Sequence, residues 1–179
     1  VKNGRIIGQG WHEKYGEAHA ERKALETCTE NPKGATMYVT LEPCCHYGKQ
    51  PPCVNAIIES GIERVVTGSS DPNPLVSGKG IQILREHGIA VTEHILQEDC
   101  NQLNEVFFHY IHTKRPFVVM KYAMTMDGKI AVHTGLSKWV TGETARSHVA
   151  QARSKYTAIM IGVGTVLADN PLLTCRIEG

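Results

Sequence analysis

Residues 36–60, TMYVTLEPCCHYGKQPPCVNAIIES, decide the fold of this chain. The first six residues, 36–41, are β-branched and apolar, a pattern that predicts a buried strand. Residues 42–52 are rich in proline, glycine and cysteine, and they predict a loop. Residues 53–60 predict a helix, because a proline directly precedes them and Gly61 ends them. The stretch therefore indicates a strand, a cysteine-bearing loop and a helix, in that order.

The same alternation of strands and helices continues on both sides of this stretch. Periodicity and turn residues predict strands over residues 5–11, 64–67 and 89–92, and helices over residues 17–28, 80–87 and 97–112. Strands that alternate with helices at this spacing favour an α/β fold, in which layers of helices cover a largely parallel sheet.

The pattern changes at Lys114-Arg115-Pro116, where the proline makes the preceding residue extended. We place a domain boundary near residues 113–116, which divides the chain into domains of residues 1–113 and 114–179. In the second domain, residues 117–124 and 156–162 predict strands, and residues 142–154 predict a helix. The two glycines within residues 162–165 could bring backbone N–H groups to a phosphate, but a tight turn is the simpler interpretation.

Both ends of the chain suggest a fragment of a longer polypeptide. The sequence begins Val1-Lys2-Asn3-Gly4 without an initiator methionine, so we expect the N-terminus of the first domain to be missing. The second domain is shorter than the ~100 residues that a dinucleotide-dependent domain usually needs. We therefore expect that domain to be truncated.

Composition excludes several classes of protein. The chain contains nineteen Lys and Arg residues and eighteen Asp and Glu residues, which gives a formal charge of +1. This near-neutral charge argues against a protein that binds nucleic acid electrostatically. No apolar run approaches the ~18 residues of a membrane span, so we expect no membrane partner. Three of the six cysteines fall within residues 44–53, near a histidine, which favours a metal site over a disulfide scaffold. These features together predict a soluble globular protein, which we expect in the cytoplasm.

The strongest chemical signal is His19-Ala20-Glu21, followed by Cys44 and Cys53. Zinc hydrolases that activate water use three protein ligands and leave a fourth position open. His19, Cys44 and Cys53 supply an imidazole and two thiolates, and the thiolates balance the charge of Zn²⁺. Glu21 is the candidate general acid–base beside the water. We expect His19 at the mouth of its helix and Glu21 in the first turn, because residues two apart point to opposite sides of a regular helix.

Two alternatives to this interpretation stay open. The order H-x-E, P-C and a second cysteine is typical of zinc deaminases, but the second cysteine here follows eight intervening residues. The chain could therefore be another nucleobase or nucleoside deaminase, including one that acts on tRNA, although its neutral charge and cysteine spacing count against that. It could instead be a structural zinc module that binds a partner, with Cys45 or His46 as the fourth ligand.

Almost the whole chain resembles the family of bifunctional riboflavin-biosynthesis proteins, in which a zinc pyrimidine deaminase precedes an NADPH-dependent reductase. The long spacing between the two cysteines is that family's own variant, whereas Cys45 departs from it, since the family usually has serine there. The motifs that carry the resemblance are HAERKAL at 19–25, TLEPCCHYGKQPPC at 40–53, DPNP at 71–74, MTMDGKIA at 124–131, SKWVTG at 137–142 and VGTVLADNPLLTCR at 163–176.

The resemblance implies a fold and an activity. The fold is a cytidine-deaminase-like three-layer α/β/α domain, followed by the start of a dihydrofolate-reductase-like α/β domain. The substrate is 2,5-diamino-6-ribosylamino-4(3H)-pyrimidinone 5′-phosphate, a small phosphorylated pyrimidine that loses its ring amino group as ammonia. The cofactors are one Zn²⁺ per deaminase domain, and NADPH for reduction of the ribosyl group in the second domain. We also expect a homo-oligomer.

The resemblance also implies roles for residues outside the zinc motif. In the deaminase, His46 and Lys49 match substrate-contacting positions, and a lysine suits a phosphate. Asp71 and Asn73 could line the same cleft, although a simple Asx-Pro turn explains them equally well. The second domain carries implied NADPH contacts at Ala123, Trp139, Thr165 and Asp169, and implied substrate contacts at Ser137, Arg153, Leu173 and Arg176. The histidines without a motif, which we interpret as surface or packing residues, are His12, His87, His94, His109 and His112.

Overall fold

The computed structural model describes residues 1–177 and places a parallel sheet at the centre of the first of two units. That unit spans Val1–Val118, and the second begins at Val119. The predicted boundary at residues 113–116 lies just before this division, and as a domain border it stays a prediction. In the part of the chain that the structure describes, no helix has the length and apolarity needed to cross a membrane.

The sheet of the first unit consists of β1 (Thr36–Leu41), β2 (Arg64–Ser69) and β3 (Ala90–Thr92), with β2 in the middle. Both pairings are parallel: Thr36 lies opposite Arg64, and Arg64 lies opposite Ala90. The three strands predicted over these residues are confirmed, and so is the parallel arrangement. The carboxyl ends of β1 and β2 therefore meet at one edge of the sheet, where the loop with the paired cysteines begins.

Helices cover both faces of this sheet. On one face, α1 (Ala20–Glu26), α2 (Cys53–Glu59) and α3 (Lys79–Glu86) pack against an apolar core. On the other face, α4 (Gln97–Leu103) lies against β2. The approach of α4 is so close that a Cβ at Gly68 would overlap the sulfur of Cys100. The members of the core are Met37, Val54, Ile57, Ile62, Val65, Leu84 and Ile89.

The predicted strand over residues 5–11 is wrong. Only an isolated antiparallel bridge joins Lys2 to Arg5, and the following residues are irregular. Their backbone hydrogen bonds go to the end of α1 instead of a neighbouring strand. The amide of Thr29 donates to the carbonyl of Ile7 at 2.7 Å, and a Cβ at Gly8 would overlap the backbone of α1. The segment therefore follows α1 because its glycine allows the two backbones to approach.

The long helix predicted over residues 97–112 is two helices, α4 and α5 (Glu105–Thr113). The break falls at Asn104, whose side-chain amide donates to the carbonyl of Cys100 at 2.9 Å. Asparagine competes with the helical backbone through such local hydrogen bonds, which explains the interruption. The prediction of helical structure on both sides of Asn104 is confirmed.

The second unit contains α6 (Glu143–Arg153) and α7 (Val163–Asp169). The predicted helix over residues 142–154 is confirmed, but the strands over residues 117–124 and 156–162 are wrong, since no strand occurs beyond β3 in residues 1–177. A strand requires a paired neighbour, and the described segments have none. Gly162 is the N-cap of α7, so the interpretation of residues 162–165 as a tight turn is also wrong.

Candidate metal centre

Three predicted ligands converge at the edge of the sheet where β1 ends. The Nδ1 atom of His19 lies 3.5 Å from the sulfur of Cys44 and 3.4 Å from the sulfur of Cys53. All three ligand atoms lie within 4.8 Å of one another. Residues that are 34 positions apart in sequence thus form one compact group of a nitrogen and two sulfurs.

The geometry of this group fits a tetrahedral zinc ion. Zinc–nitrogen bonds of about 2.0–2.1 Å and zinc–sulfur bonds of about 2.3 Å, at a tetrahedral angle, place the nitrogen and a sulfur about 3.6 Å apart. The distances from His19 to Cys44 and Cys53, 3.5 and 3.4 Å, agree with this separation. One imidazole and two thiols form a zinc donor set with a fourth position left for a non-protein ligand.

Local structure explains how each ligand reaches the centre. His19 is the N-cap of α1 with an extended backbone, so its side chain is free of the helical arrangement. Cys44 lies in the loop after β1, and Cys53 is the first residue of α2, after the N-cap Pro52. The guanidinium of Arg22 donates to the carbonyl of Pro52 at 3.3 Å, which links α1 to the start of α2. The predicted placement of His19 at the mouth of α1 is confirmed.

Glu21 lies in the first turn of α1 as predicted, and its side chain is only 9% exposed. Burial raises the pKa of this carboxyl above its usual value, because the charged form loses its hydration. The backbone N–H of Glu21, the ring of His19 and the thiol of Cys53 oppose that shift, whereas Cys44 adds to it. A buried carboxyl beside three ligands, with a raised pKa, is suited to both accept and return a proton.

The two cysteines of the centre have opposite pKa shifts. A hydrogen bond from the thiol of Cys53 lowers the pKa of Cys44 to about 5, and the backbone N–H of Cys53 and the ring of His19 add to the effect against burial. The pKa of Cys53 is raised, first by its hydrogen bond to Cys44 and then by burial. The two sulfurs thus share a hydrogen bond, and a metal ion that bound both as thiolates would release its proton.

A pocket of about 260 Å³ opens beside His19 and Cys44. The ammonium of Lys49 lies 4.1 Å from the centre of the Tyr15 ring, a cation–π contact at its rim. The Nδ1 atom of His46 is buried without a hydrogen-bond partner in the described residues. The predicted residues His46 and Lys49 therefore line the pocket that opens beside two of the three ligands. The full lining is His12, Tyr15, Gly16, His19, Cys44, His46, Gly48, Lys49 and Gln50.

His12 is a candidate functional residue that the sequence analysis missed. Its ring packs edge to face against His19 with the centroids 5.4 Å apart, and its Nδ1 atom lies 3.2 Å from the carbonyl of Ala18. His12 is exposed and packs against His19, which agrees with its interpretation as a surface or packing residue, and it also lines the pocket beside the metal centre. A useful signal was its place in a loop between two glycines, Gly10 and Gly16, because binding residues concentrate in loops.

Cys45 points away from the three ligands. Its sulfur lies 3.6 Å from the carbonyl of Leu75, and it is not part of the His19, Cys44 and Cys53 group. A fourth protein ligand from Cys45 would require the loop to rearrange. This contact favours an open centre over the closed site of a structural zinc module.

Asp71 and Asn73 form the turn that the sequence suggested. The carboxylate of Asp71 accepts the N–H of Asn73 at 2.8 Å, and the side-chain oxygen of Asn73 accepts the N–H of Leu75 at 3.1 Å. Burial raises the pKa of Asp71, the N–H of Asn73 lowers it, and the nearby charges of Glu42, His46 and Cys44 also act on it. Asp71 therefore stabilises the turn and also lies close enough to His46 to interact with it electrostatically.

The predicted positions of the second unit are mostly at its surface. Trp139 stacks under the guanidinium of Arg146, whose carbon lies 4.6 Å from the ring centre. Arg153 donates to the carbonyl of Thr174 at 3.1 Å, which brings it to the segment that carries Leu173. The half-buried members of the predicted set are Ala123, Ser137 and Arg153, and the exposed members are Trp139, Thr165, Asp169, Leu173 and Arg176.

Two family models match this chain. Residues 1–69 match the cytidine and deoxycytidylate deaminase zinc-binding region, which contains all three ligands and Glu21. Residues 116–179 match the RibD C-terminal domain. The prediction of zinc as the metal of this centre is confirmed by the first match together with the geometry.

Curated relatives and solved structures match almost the full chain. The riboflavin biosynthesis protein RibD of Actinobacillus pleuropneumoniae is 60% identical over 99% of this chain and 47% of the relative. RibD of Aquifex aeolicus is 52% identical over 98% of this chain and 49% of its own length. The chain thus spans about half the length of the curated relatives that it matches.

The crystal structure of the diaminohydroxyphosphoribosylaminopyrimidine deaminase/5-amino-6-(5-phosphoribosylamino)uracil reductase of Thermotoga maritima matches with a TM-score of 0.94 and 53% identity, over 99% of this chain and 51% of the other. RibD of Acinetobacter baumannii matches with a TM-score of 0.91 and 44% identity, over 99% and 50%. The predicted fold class, a cytidine-deaminase-like domain followed by the start of a dihydrofolate-reductase-like domain, is confirmed by these matches. Over almost its whole length, this chain is therefore similar to the riboflavin biosynthesis protein RibD of several bacteria.

Proposed function

We propose that this chain carries the deaminase of riboflavin biosynthesis, which hydrolyses 2,5-diamino-6-ribosylamino-4(3H)-pyrimidinone 5′-phosphate at its ring amino group. The observation that carries the proposal is the convergence of His19, Cys44 and Cys53 beside the buried carboxyl of Glu21, at the wall of a pocket. Three ligands with an adjacent proton carrier are the arrangement that hydrolytic zinc deaminases use.

In this mechanism His19, Cys44 and Cys53 would hold the zinc ion, and Glu21 moves the proton. Zinc, when bound, supplies a Lewis acid that lowers the pKa of a water molecule. Glu21 takes the proton of the attacking water and delivers it to the leaving nitrogen, so that ammonia departs. Burial raises the pKa of Glu21, which favours the protonated carboxyl that the second transfer uses.

The pocket residues bind and orient the phosphorylated pyrimidine. Lys49, held over the ring of Tyr15, offers an ammonium group to the 5′-phosphate. His46 has a buried ring nitrogen that is free to bond a polar group of the base, and His12 lies across the same pocket. These side chains come from two separate loops, so substrate binding depends on how the loops are held.

We propose that the second unit belongs to the NADPH-dependent reductase that reduces the ribosyl group to ribityl. The match to the RibD C-terminal domain supports this role. The residues assigned to NADPH are Ala123, Trp139, Thr165 and Asp169, and those assigned to the substrate are Ser137, Arg153, Leu173 and Arg176. Arg153 and Arg176 suit the substrate phosphate, because one guanidinium group can donate two parallel hydrogen bonds to two phosphate oxygens. A cytoplasmic location, a homo-oligomer and the two domain borders remain predictions of the same proposal.

Ammonia release from a panel of substrates tests the deaminase proposal. We expect release from the phosphorylated diaminopyrimidine and none at comparable rates from cytidine, dCMP or adenosine in a tRNA anticodon loop. Preference for one of the other substrates would instead favour a different nucleobase deaminase. One tightly bound zinc per chain without ammonia release from any substrate would favour a structural zinc module.

A further inference from the structure

Glu42 is a buried carboxylate that the proposed chemistry does not use. It directly follows β1, and its side chain is only 3% exposed. Its own backbone N–H donates to the carbonyl of Ser69 at 2.9 Å, which extends the pairing of β1 with β2 by one residue. The carboxylate thus lies at the carboxyl edge of the sheet, two residues before the zinc ligand Cys44.

This carboxylate accepts four backbone N–H groups from a single distant segment. One oxygen, Oε2, accepts the amides of Asp71 at 3.4 Å and Gly78 at 3.0 Å. The other oxygen, Oε1, accepts the amides of Gly80 at 3.1 Å and Ile81 at 3.4 Å. The last two amides belong to the first turn of α3, whose N-cap Gly78 has no side chain to satisfy them. Glu42 therefore caps α3 from another part of the chain.

The four bonds fix both ends of the loop between β2 and α3, which we define as residues 70–78. Asp71 lies near the start of this β2–α3 loop and Gly78 at its end, and both donate to the same oxygen of Glu42. Between them, the carbonyl of Leu75 accepts a hydrogen bond from the thiol of Cys45 at 3.6 Å. Cys45 directly follows the zinc ligand Cys44 in the sequence. The β2–α3 loop is therefore held at three points against residues 42–52, which contain Cys44 and which we call the zinc loop.

Backbone packing leaves little room for this arrangement to shift. A Cβ at Gly80 would overlap the carbonyl oxygen of Pro43, so the first turn of α3 lies directly on the residue before Cys44. Only glycine permits this approach at the position. The zinc loop and the start of α3 are thus in contact through backbone atoms, and the carboxylate of Glu42 holds them together.

We propose that Glu42 is a positioning residue that sets the β2–α3 loop against the zinc loop and thereby shapes the substrate pocket, without taking part in zinc binding. This inference rests on the proposed deaminase function. His46 on the zinc loop and Asp71 on the β2–α3 loop interact electrostatically, so a shift of the β2–α3 loop changes the surroundings of His46. Of the three zinc ligands, His19 caps α1, Cys44 lies in the zinc loop and Cys53 begins α2, so none lies on the β2–α3 loop.

The test uses Glu42→Gln in the full chain, with Glu59→Gln, an exposed residue of α2, as the matched control. Glutamine has nearly the same shape as glutamate. Its NH₂ group would replace one carboxylate oxygen, and it cannot accept hydrogen bonds from the backbone N–H groups there. We expect one zinc per chain, a rise of about tenfold in KM with a smaller change in kcat, and faster amide exchange at Gly78 and Gly80. Glu59→Gln should match the unchanged protein in all three measurements.

Gly80→Ala tests the contact between α3 and the zinc loop from the α3 side. The added Cβ would displace α3 from the carbonyl of Pro43 and leave the carboxylate of Glu42 intact. We expect the same pattern of retained zinc and raised KM, and this variant decides the question if Glu42→Gln does not fold. An unchanged KM, or a loss of zinc in either variant, would overturn the inference. Amide exchange and zinc content do not depend on catalysis, so they still test Glu42 if the substrate panel contradicts the proposed function.

Discussion

The two units of this chain differ in how far their side chains are buried. In the first unit, Ile57, Val65 and Leu84 are completely enclosed, with 0% of their surface exposed. In the second unit, no described side chain is buried, and Leu167 on α7 is 82% exposed. The first unit thus has the packed interior of a folded domain, whereas the described part of the second has helices without a core between them.

Packing restrains the candidate site of the first unit more strongly than that of the second. In the first unit, His19 and Cys53 lie at the starts of α1 and α2, and Cys44 lies in the loop after β1, so packing of these elements around the core fixes the distances between the ligands. The proposed NADPH positions Thr165 and Asp169 lie on the exposed helix α7, where packing imposes no comparable restraint. The deaminase proposal therefore stands on distances and burial, and the reductase proposal on the family match.

The largest effect is expected when a zinc ligand is removed. His19→Ala leaves two sulfurs without the imidazole, and we expect the loss of both bound zinc and measurable ammonia release. Metal analysis and the ammonia assay on the same sample check this. His87→Ala is the matched control, because that ring lies 2.8 Å from the carbonyl of Ile83 on α3 and takes no part in the centre. Stoichiometric zinc in His19→Ala would contradict the assignment.

Shortening one leucine in each unit compares how much buried packing contributes to the stability of the two units. Leu84→Ala removes a fully enclosed side chain and should lower the free energy of unfolding by about 2–5 kcal/mol. Leu167→Ala removes an exposed side chain of the second unit and should change it by less than about 0.5 kcal/mol. Urea denaturation followed by circular dichroism measures both. Equal losses for the two variants would mean that the second unit has a core of its own.

The smallest effect is expected at Cys45. Cys45→Ser should retain zinc and ammonia release, since the sulfur contacts Leu75 and not the other ligands. The visible spectrum of the Co²⁺-substituted protein should also be unchanged, because the number of thiolate ligands stays at two. Cys44→Ser is the contrasting variant and should lose one thiolate band. A changed cobalt spectrum in Cys45→Ser would favour the closed, structural zinc module.

Much of the first unit could be predicted because its signals are local. The β-branched run of β1 and the glycine that ends α2 act through neighbouring residues, and these elements formed where expected. The segment over residues 5–11 has a similar apolar pattern, but its glycines allow it to pack along α1 instead of pairing with a strand. That choice depends on tertiary contacts, which periodicity does not record.

The site shows the same division between local and distant signals. His19, Glu21, Cys44 and Cys53 are predictable from residue type and spacing. Nothing beside His12 in the sequence indicates that its ring packs against His19. The four amide partners of Glu42 lie 29 to 39 positions away in the sequence, so its proposed role as a positioning residue can be recognised only in the folded structure.

The most direct test of the deaminase account separates zinc binding from proton transfer at Glu21. Glu21→Gln preserves the shape of the side chain but cannot carry a proton at neutral pH, so zinc should remain at one per chain while ammonia release falls by at least about 10²–10⁴-fold. Glu26→Gln, an exposed residue of the same helix, should retain both. Metal content and turnover of the two variants are measured side by side. Loss of zinc from Glu21→Gln, or turnover close to that of the unchanged protein, would contradict the mechanism.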